Sequence, residues 1–156
     1  MPFYSRKPTR IPNYDYSRNN YYFITVCTQS RKSIFGMPGQ HTDMGKIVEN
    51  HILNLPGYYE NVLVDKYVVM PNHVHMILVM NGQNNPNASL VIGQWKRGIT
   101  KEIRQQYPQY VVWQRSFHDH VIRNQAGYEK IWMYIDSNPV NWKKDCFYLE
   151  SSENEG

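Results

Sequence analysis

The chain has 156 residues, a formal net charge of +4 and a sequence pI of about 9.0. That length fits one domain with a sizeable core, and the basic balance points to an anionic partner, nucleic acid ahead of a membrane surface. Two cysteines, Cys27 and Cys146, exclude a disulfide scaffold and a cysteine zinc cluster. No window approaches about 18 consecutive apolar residues, and the opening Met1–Lys7 lacks the apolar stretch of a signal peptide, so a cytoplasmic protein without a membrane partner is expected.

Residues 1–20 are rich in Arg, Pro, Asn and Tyr, follow no helical or strand period, and read as an arm laid over a domain that spans 21–148. Arg6, Lys7, Arg10 and Arg18 stand in this arm without a glutamate, either as a solubilising tail or as contacts to phosphates. Residues 21–28 (YYFITVCT) are β-branched and aromatic and predict a buried strand. Residues 30–43, with Gly36, Pro38 and Gly39, predict a loop. Thr42 or Asp43 then caps a helix whose stripe is Met44, Ile47, Val48, His51 and Ile52, and Pro56-Gly57 ends it. Residues 61–70 (NVLVDKYVVM) and 72–80 (NHVHMILVM) predict two strands, and the short Pro71-Asn72 break makes them an antiparallel hairpin. After the polar stretch 81–87 comes a helix with Ile92, Trp95, Ile99 and Ile103 on one face and a basic stripe of Arg97, Lys101 and Arg104 beside it. Residues 110–122 read as a strand with a bend. Residues 125–138 read as a helix with Tyr128, Ile131, Trp132 and Ile135 as its apolar face, stopped by Pro139. The acidic residues 149–156 predict a disordered tail. The order β-α-β-β-α-β plus a C-terminal helix is the ferredoxin-like (RRM-like) α+β pattern: an antiparallel sheet with two helices on one face and the first and third strands central. Such a fold assigns no activity by itself.

Side chains alternate along a strand. Val74, Met76, Leu78 and Met80 therefore share one face, wholly apolar and suited to lie under the helices, while His73, His75, Ile77 and Val79 share the other. A lone histidine is more often a satisfied polar residue than a ligand. Two of them, two residues apart on the uncovered face of a central strand, can reach one divalent ion. Zinc sites and cupins use the same pair. A second pair, His118 and His120, encloses Asp119, a charge that no core would accept, so this stretch reads as an exposed strand end. His118 is taken as a surface residue; His120 is kept as a group that could stand behind the ligands or face a phosphate. Tyr134 and Asn138 are neighbours one turn apart at the edge of the last helix's apolar stripe. The amide could share a metal or phosphate with the phenol, or simply cap the helix before Pro139.

Three stretches resemble the Y1 tyrosine transposases: YVVMPNHVHMIL at 67–78, VWQRSFHDHVIR at 112–123 and IWMYIDSNPVNW at 131–142. Within that family the REP-associated tyrosine transposases of bacteria are most similar, and RIPNYDYSRNNYYFITVCT at 10–28 and RKSIFG at 31–36 also fit them. The resemblance covers about residues 5–145. It implies an HUH motif at His73-Val74-His75, a nucleophilic Tyr134, and Asn138 as third ligand of a Mg²⁺ or Mn²⁺ ion. It further implies a 5′-phosphotyrosine with a free 3′-OH, single-stranded hairpin DNA as substrate, a homodimer, and residence at the bacterial nucleoid. Arg97, Lys101, Arg104 and the arm would carry phosphate contacts. Tyr14, Tyr16 and Tyr21 could stack on unpaired bases, although each is as well explained as an ordinary aromatic. Three other readings compete. A replication or conjugation initiator nuclease would share the HUH chemistry. A non-catalytic RRM-like module would carry aromatics rather than histidines on the open face of the third strand. A zinc hydrolase would need a carboxylate base near His73 and His75, for which Asp65 is the nearby candidate.

Overall fold

The expected order of elements is realised over the residues that the computed structural model describes, 20–82 and 85–144. The arm, with Arg6, Lys7, Arg10, Arg18, Tyr14 and Tyr16, lies outside the described residues except for Asn20, and so does the acidic tail. The chain runs through β1 (Asn20–Cys27), a 3-10 turn (Gln29–Arg31), α1 (Asp43–Leu53), a short α2 (Leu55–Tyr58), β2 (Val62–Met70), β3 (His73–Met80), α3 (Ala88–Gln106), β4 (His118–Ile122) and α4 (Gln125–Ser137). A second 3-10 turn, Trp142–Lys144, follows. The strands form one antiparallel sheet in the order β2-β3-β1-β4, which makes β1 and β3 central. The three longer helices each start on a polar side chain that accepts a backbone N–H of the first turn: Thr42 from Gly45 at 3.1 Å, Asn87 from Ser89 at 2.8 Å and Asn124 from Gly127 at 2.8 Å.

Alternation splits the core into two layers. Tyr22, Ile24 and Val26 of β1 join Val74, Met76, Leu78 and Met80 of β3 beneath Val48 and Ile52 of α1 and Ile92, Trp95, Ile99 and Ile103 of α3. Phe23, Ile77, Val79 and Ile122 face the other way, beneath Ile131 and Ile135 of α4. The face left open by α1 and α3 is thus closed by α4, and β3 is buried along its whole length. A strand covered on both faces is expected to be almost continuously apolar, which makes its two histidines the anomaly.

The structure departs from the sequence expectation in three places. Pro56 does not end the first helical segment but opens α2, where its missing N–H costs nothing. Within 110–122 only the last five residues are strand. Residues 111–117 leave the sheet, keeping a single bridge from Trp113 to Thr28, because the Trp113 ring packs on Phe35 and Trp95 in the main core. Finally, β2 carries a register break between Val64 and Lys66. This bulge leaves Asp65 out of the ladder, and both Asp65 and Lys66 reach α4. Asp65 accepts the Tyr128 hydroxyl, while Lys66 donates to Asp136 at 2.8 Å and lies 3.9 Å over the Trp132 ring. The bulge therefore serves as the clasp that aligns α4 on the sheet. Among the described residues no helix is long and apolar enough to cross a membrane.

Candidate active site

His73 and His75 lie fully buried on the α4 side of the central strand, with ring centroids 4.5 Å apart. Each is held from behind through Nδ1. His73 Nδ1 is 2.8 Å from Asn72 Oδ1, and His75 Nδ1 is 2.9 Å from Thr25 Oγ1 on the neighbouring strand. Both Nε2 atoms are consequently turned away from these anchors. Burial, and His73 beside it, hold the His75 imidazole well below its ordinary pKa. It is therefore neutral at physiological pH, the form in which histidine binds a metal.

The α4 layer brings Tyr134 to this place. The Tyr134 ring is 5.2 Å from that of His75 and 6.2 Å, edge-on, from Phe23. Trp142 stands 5.8 Å from His73. Asn138 falls midway between positions 134 and 142, in the α-helical backbone conformation at the end of α4, and is only 2% exposed. Of the two roles considered for Asn138, the cap is realised: it is the C-cap residue of α4, and it is buried there. His73 Nε2 and Asn138 Oδ1 are buried and make no hydrogen bond within the chain, although each residue is engaged through other atoms. A buried polar atom without a hydrogen bond costs free energy, and two imidazoles with an amide oxygen are a donor set that suits a divalent cation. Among the described residues no third His, Cys, Asp or Glu completes a metal cluster with the pair.

The other candidates are dispersed. Asp65, the base that a zinc hydrolase would need, is taken up by Tyr128 at the bulge. His120 is exposed and pairs across the ladder with Phe23; loss of solvent around its ring, and then Arg123, lower its pKa. His118 is the better placed of the two, partly buried in the cross-strand row His75–Thr25–His118. Arg97, Lys101 and Arg104 lie on the opposite side of the sheet. They line a groove of about 800 Å³ between α3 and residues 111–115, together with Lys96 and Arg115. Tyr21 is half-exposed and packs edge-on against Tyr128, which accounts for it as a structural aromatic. Thr25, Asn72 and Trp142 were not singled out from the sequence. Asn72 carried a signal, as an amide in the turn before the histidine pair, and so did Thr25, the one aliphatic hydroxyl in its strand.

The sheet thus carries two buried imidazoles on its central strand, with a tyrosine packed against them from a separate helix, where a passive RNA-binding sheet was expected to carry aromatics. The profile of the family described as transposase IS200 like matches residues 16–138, and the chain belongs to that family. A Haemophilus influenzae protein of uncharacterised function is 28% identical over 93% of this chain and 94% of its own length. A second protein from that organism, named as a candidate REP-associated tyrosine transposase, is 24% identical over 81% of this chain and 73% of its own length. Among solved structures, a REP-associated tyrosine transposase bound to a REP hairpin superposes with a TM-score of 0.64 at 22% identity, covering 85% of this chain and 73% of that one. The fold is therefore that of the REP-associated transposases.

Proposed function

We propose that this protein cleaves and rejoins single-stranded DNA at hairpins of the REP type, with Tyr134 as nucleophile and a Mg²⁺ or Mn²⁺ ion held by His73, His75 and Asn138. The observation that carries this reading is the Tyr134 ring 5.2 Å from His75, where the docking of α4 on the sheet sets a phenol beside a buried imidazole. The ion, when bound, would polarise the scissile phosphate and offset charge on its oxygens; three neutral ligands leave its positive charge undiminished for that purpose. The Tyr134 oxygen attacks phosphorus and gives up its proton, the bond to the 3′ oxygen breaks, and that oxygen gains a proton. The products are a 5′-phosphotyrosine and a free 3′-OH. The covalent bond conserves the phosphodiester, so the reverse attack rejoins the strand without ATP. Phe23 packs edge-on against the Tyr134 ring, and Trp142 lies beside His73.

The groove lined by Arg97, Lys101 and Arg104 is the natural seat for phosphates of the hairpin stem, and the arm residues Arg6, Lys7, Arg10 and Arg18 would add to it. A homodimer would bring two such sets of residues together. Such a protein works on nucleoid DNA in the cytoplasm. The test mixes the protein with end-labelled hairpin DNA bearing a single-stranded flank, in Mn²⁺, and looks for a covalent adduct on a denaturing gel. Tyr134→Phe should abolish the adduct, EDTA should do the same, and mass spectrometry should find the nucleotide on the peptide containing Tyr134. An adduct on another tyrosine would overturn the assignment.

A further inference from the structure

His73 is a ligand only if its Nε2 carries the lone pair, and nothing in an imidazole decides that by itself. Its neighbour does. The Asn72 amide has a donor end and an acceptor end, and the donor, Nδ2, lies 3.2 Å from the backbone carbonyl of Arg31. A carbonyl only accepts, so the amide can be oriented one way alone. Oδ1 then faces His73 Nδ1 at 2.8 Å. Because Oδ1 also only accepts, Nδ1 must carry the proton, and in the neutral ring the lone pair falls on Nε2. His75 has no such constraint, since the Thr25 hydroxyl opposite its Nδ1 can donate or accept.

The Arg31 carbonyl is aimed by backbone geometry. Ser30 and Arg31 both adopt the left-handed conformation, with φ of 57° and 53°. The segment is fastened to the turn it braces. Thr28 donates its N–H to the Asn72 carbonyl at 3.0 Å and its hydroxyl to the Lys32 carbonyl at 2.8 Å, and Ile34 and Phe35 donate to the Pro71 carbonyl at 2.9 and 3.0 Å. Asn72 is fully buried, so water does not compete for the amide.

We propose that Asn72 is a positioning residue which, clamped by the Arg31 carbonyl, holds His73 as its Nδ1–H tautomer and so presents Nε2 to the cation. This rests on the metal reading above, but it concerns the ring's state before any metal arrives. Long-range ¹H–¹⁵N correlation of the imidazoles in metal-free protein should show His73 protonated on Nδ1; protonation on Nε2 would overturn the proposal, and this needs no variant to fold. Asn72→Leu should release the tautomer preference and weaken Mn²⁺ binding, measured by calorimetry, by about 10–100-fold, the usual loss for a residue that orients a ligand. A folded Asn72→Leu protein that binds Mn²⁺ as the native chain does would also overturn it. If the native protein shows the Nδ1–H tautomer yet takes up no Mn²⁺, the metal reading falls while the hold of Asn72 on the ring stands.

Discussion

Ile135→Ala tests whether the docking of α4 makes the site. Ile135 is fully buried and, with Ile131, is one of the two buried side chains that α4 contributes to its layer. Truncating a buried isoleucine costs about 2–5 kcal/mol through lost transfer free energy and the cavity left behind. At about 1.36 kcal/mol per factor of ten, the ratio of docked to undocked α4 falls about 30-fold to several thousand-fold. Undocking takes Tyr134 and Asn138 away from His73 and His75 together, since one precedes and the other follows Ile135 on the same helix. The main core lies on the far side of the sheet and does not include Ile135. Hydrogen exchange should therefore show loss of protection concentrated in α4, with β1, β3 and α3 still protected, and the adduct rate should fall with the docked fraction that the exchange reports. Ile99→Ala, a truncation of the same size in the main core, should instead lower protection throughout and leave the adduct rate per folded molecule unchanged. Native exchange in α4 of the Ile135→Ala protein, or native adduct formation despite rapid exchange, would refute the reasoning.

Neutralising Arg97, Lys101 and Arg104 together to glutamine should weaken hairpin binding and flatten its salt slope by about 2–3. Mn²⁺ affinity should not change, because the groove and the histidines lie on opposite faces of the sheet. Gly45→Ala improves helix propensity by up to about 1 kcal/mol, yet should be destabilising by about 1–3 kcal/mol in urea denaturation, because the added Cβ would overlap the Phe35 carbonyl oxygen. Tyr67 and Tyr128 are both pushed up to about 12, Tyr67 chiefly by loss of solvent and then by Glu49, Tyr128 chiefly by its hydrogen bond to Asp65. A phenol whose folded pKa is raised contributes stability that is fully present below the unfolded value of about 10 and is lost as pH rises towards the folded one. Melting temperature measured from pH 8 to 12 should accordingly fall above about pH 10, and less steeply in the Tyr67→Phe/Tyr128→Phe protein.

Much of the molecule was legible in the chain because the relevant rules are local. Alternation alone puts His73 and His75 on one strand face and Val74, Met76, Leu78 and Met80 on the other. Helical spacing alone gathers Ile92, Trp95, Ile99 and Ile103, and the polar residues before each long helix mark where it starts. The Tyr134-to-Asn138 spacing follows from one helical turn. What covers a face is a different kind of question. That α4 returns over its own chain's histidines depends on Asp65 and Lys66 both reaching it, and they do so because β2 slips register at Val64, a feature of pairing rather than of either strand's sequence. The strand expected at 110–117 gave way to a tryptophan packed between two distant aromatics. Thr25 meets His75 across 50 residues of chain, and Arg31 meets Asn72 across 41. Those hydrogen bonds have no periodicity that a sequence could display. They exist only once the sheet has closed and brought the donors and acceptors within reach.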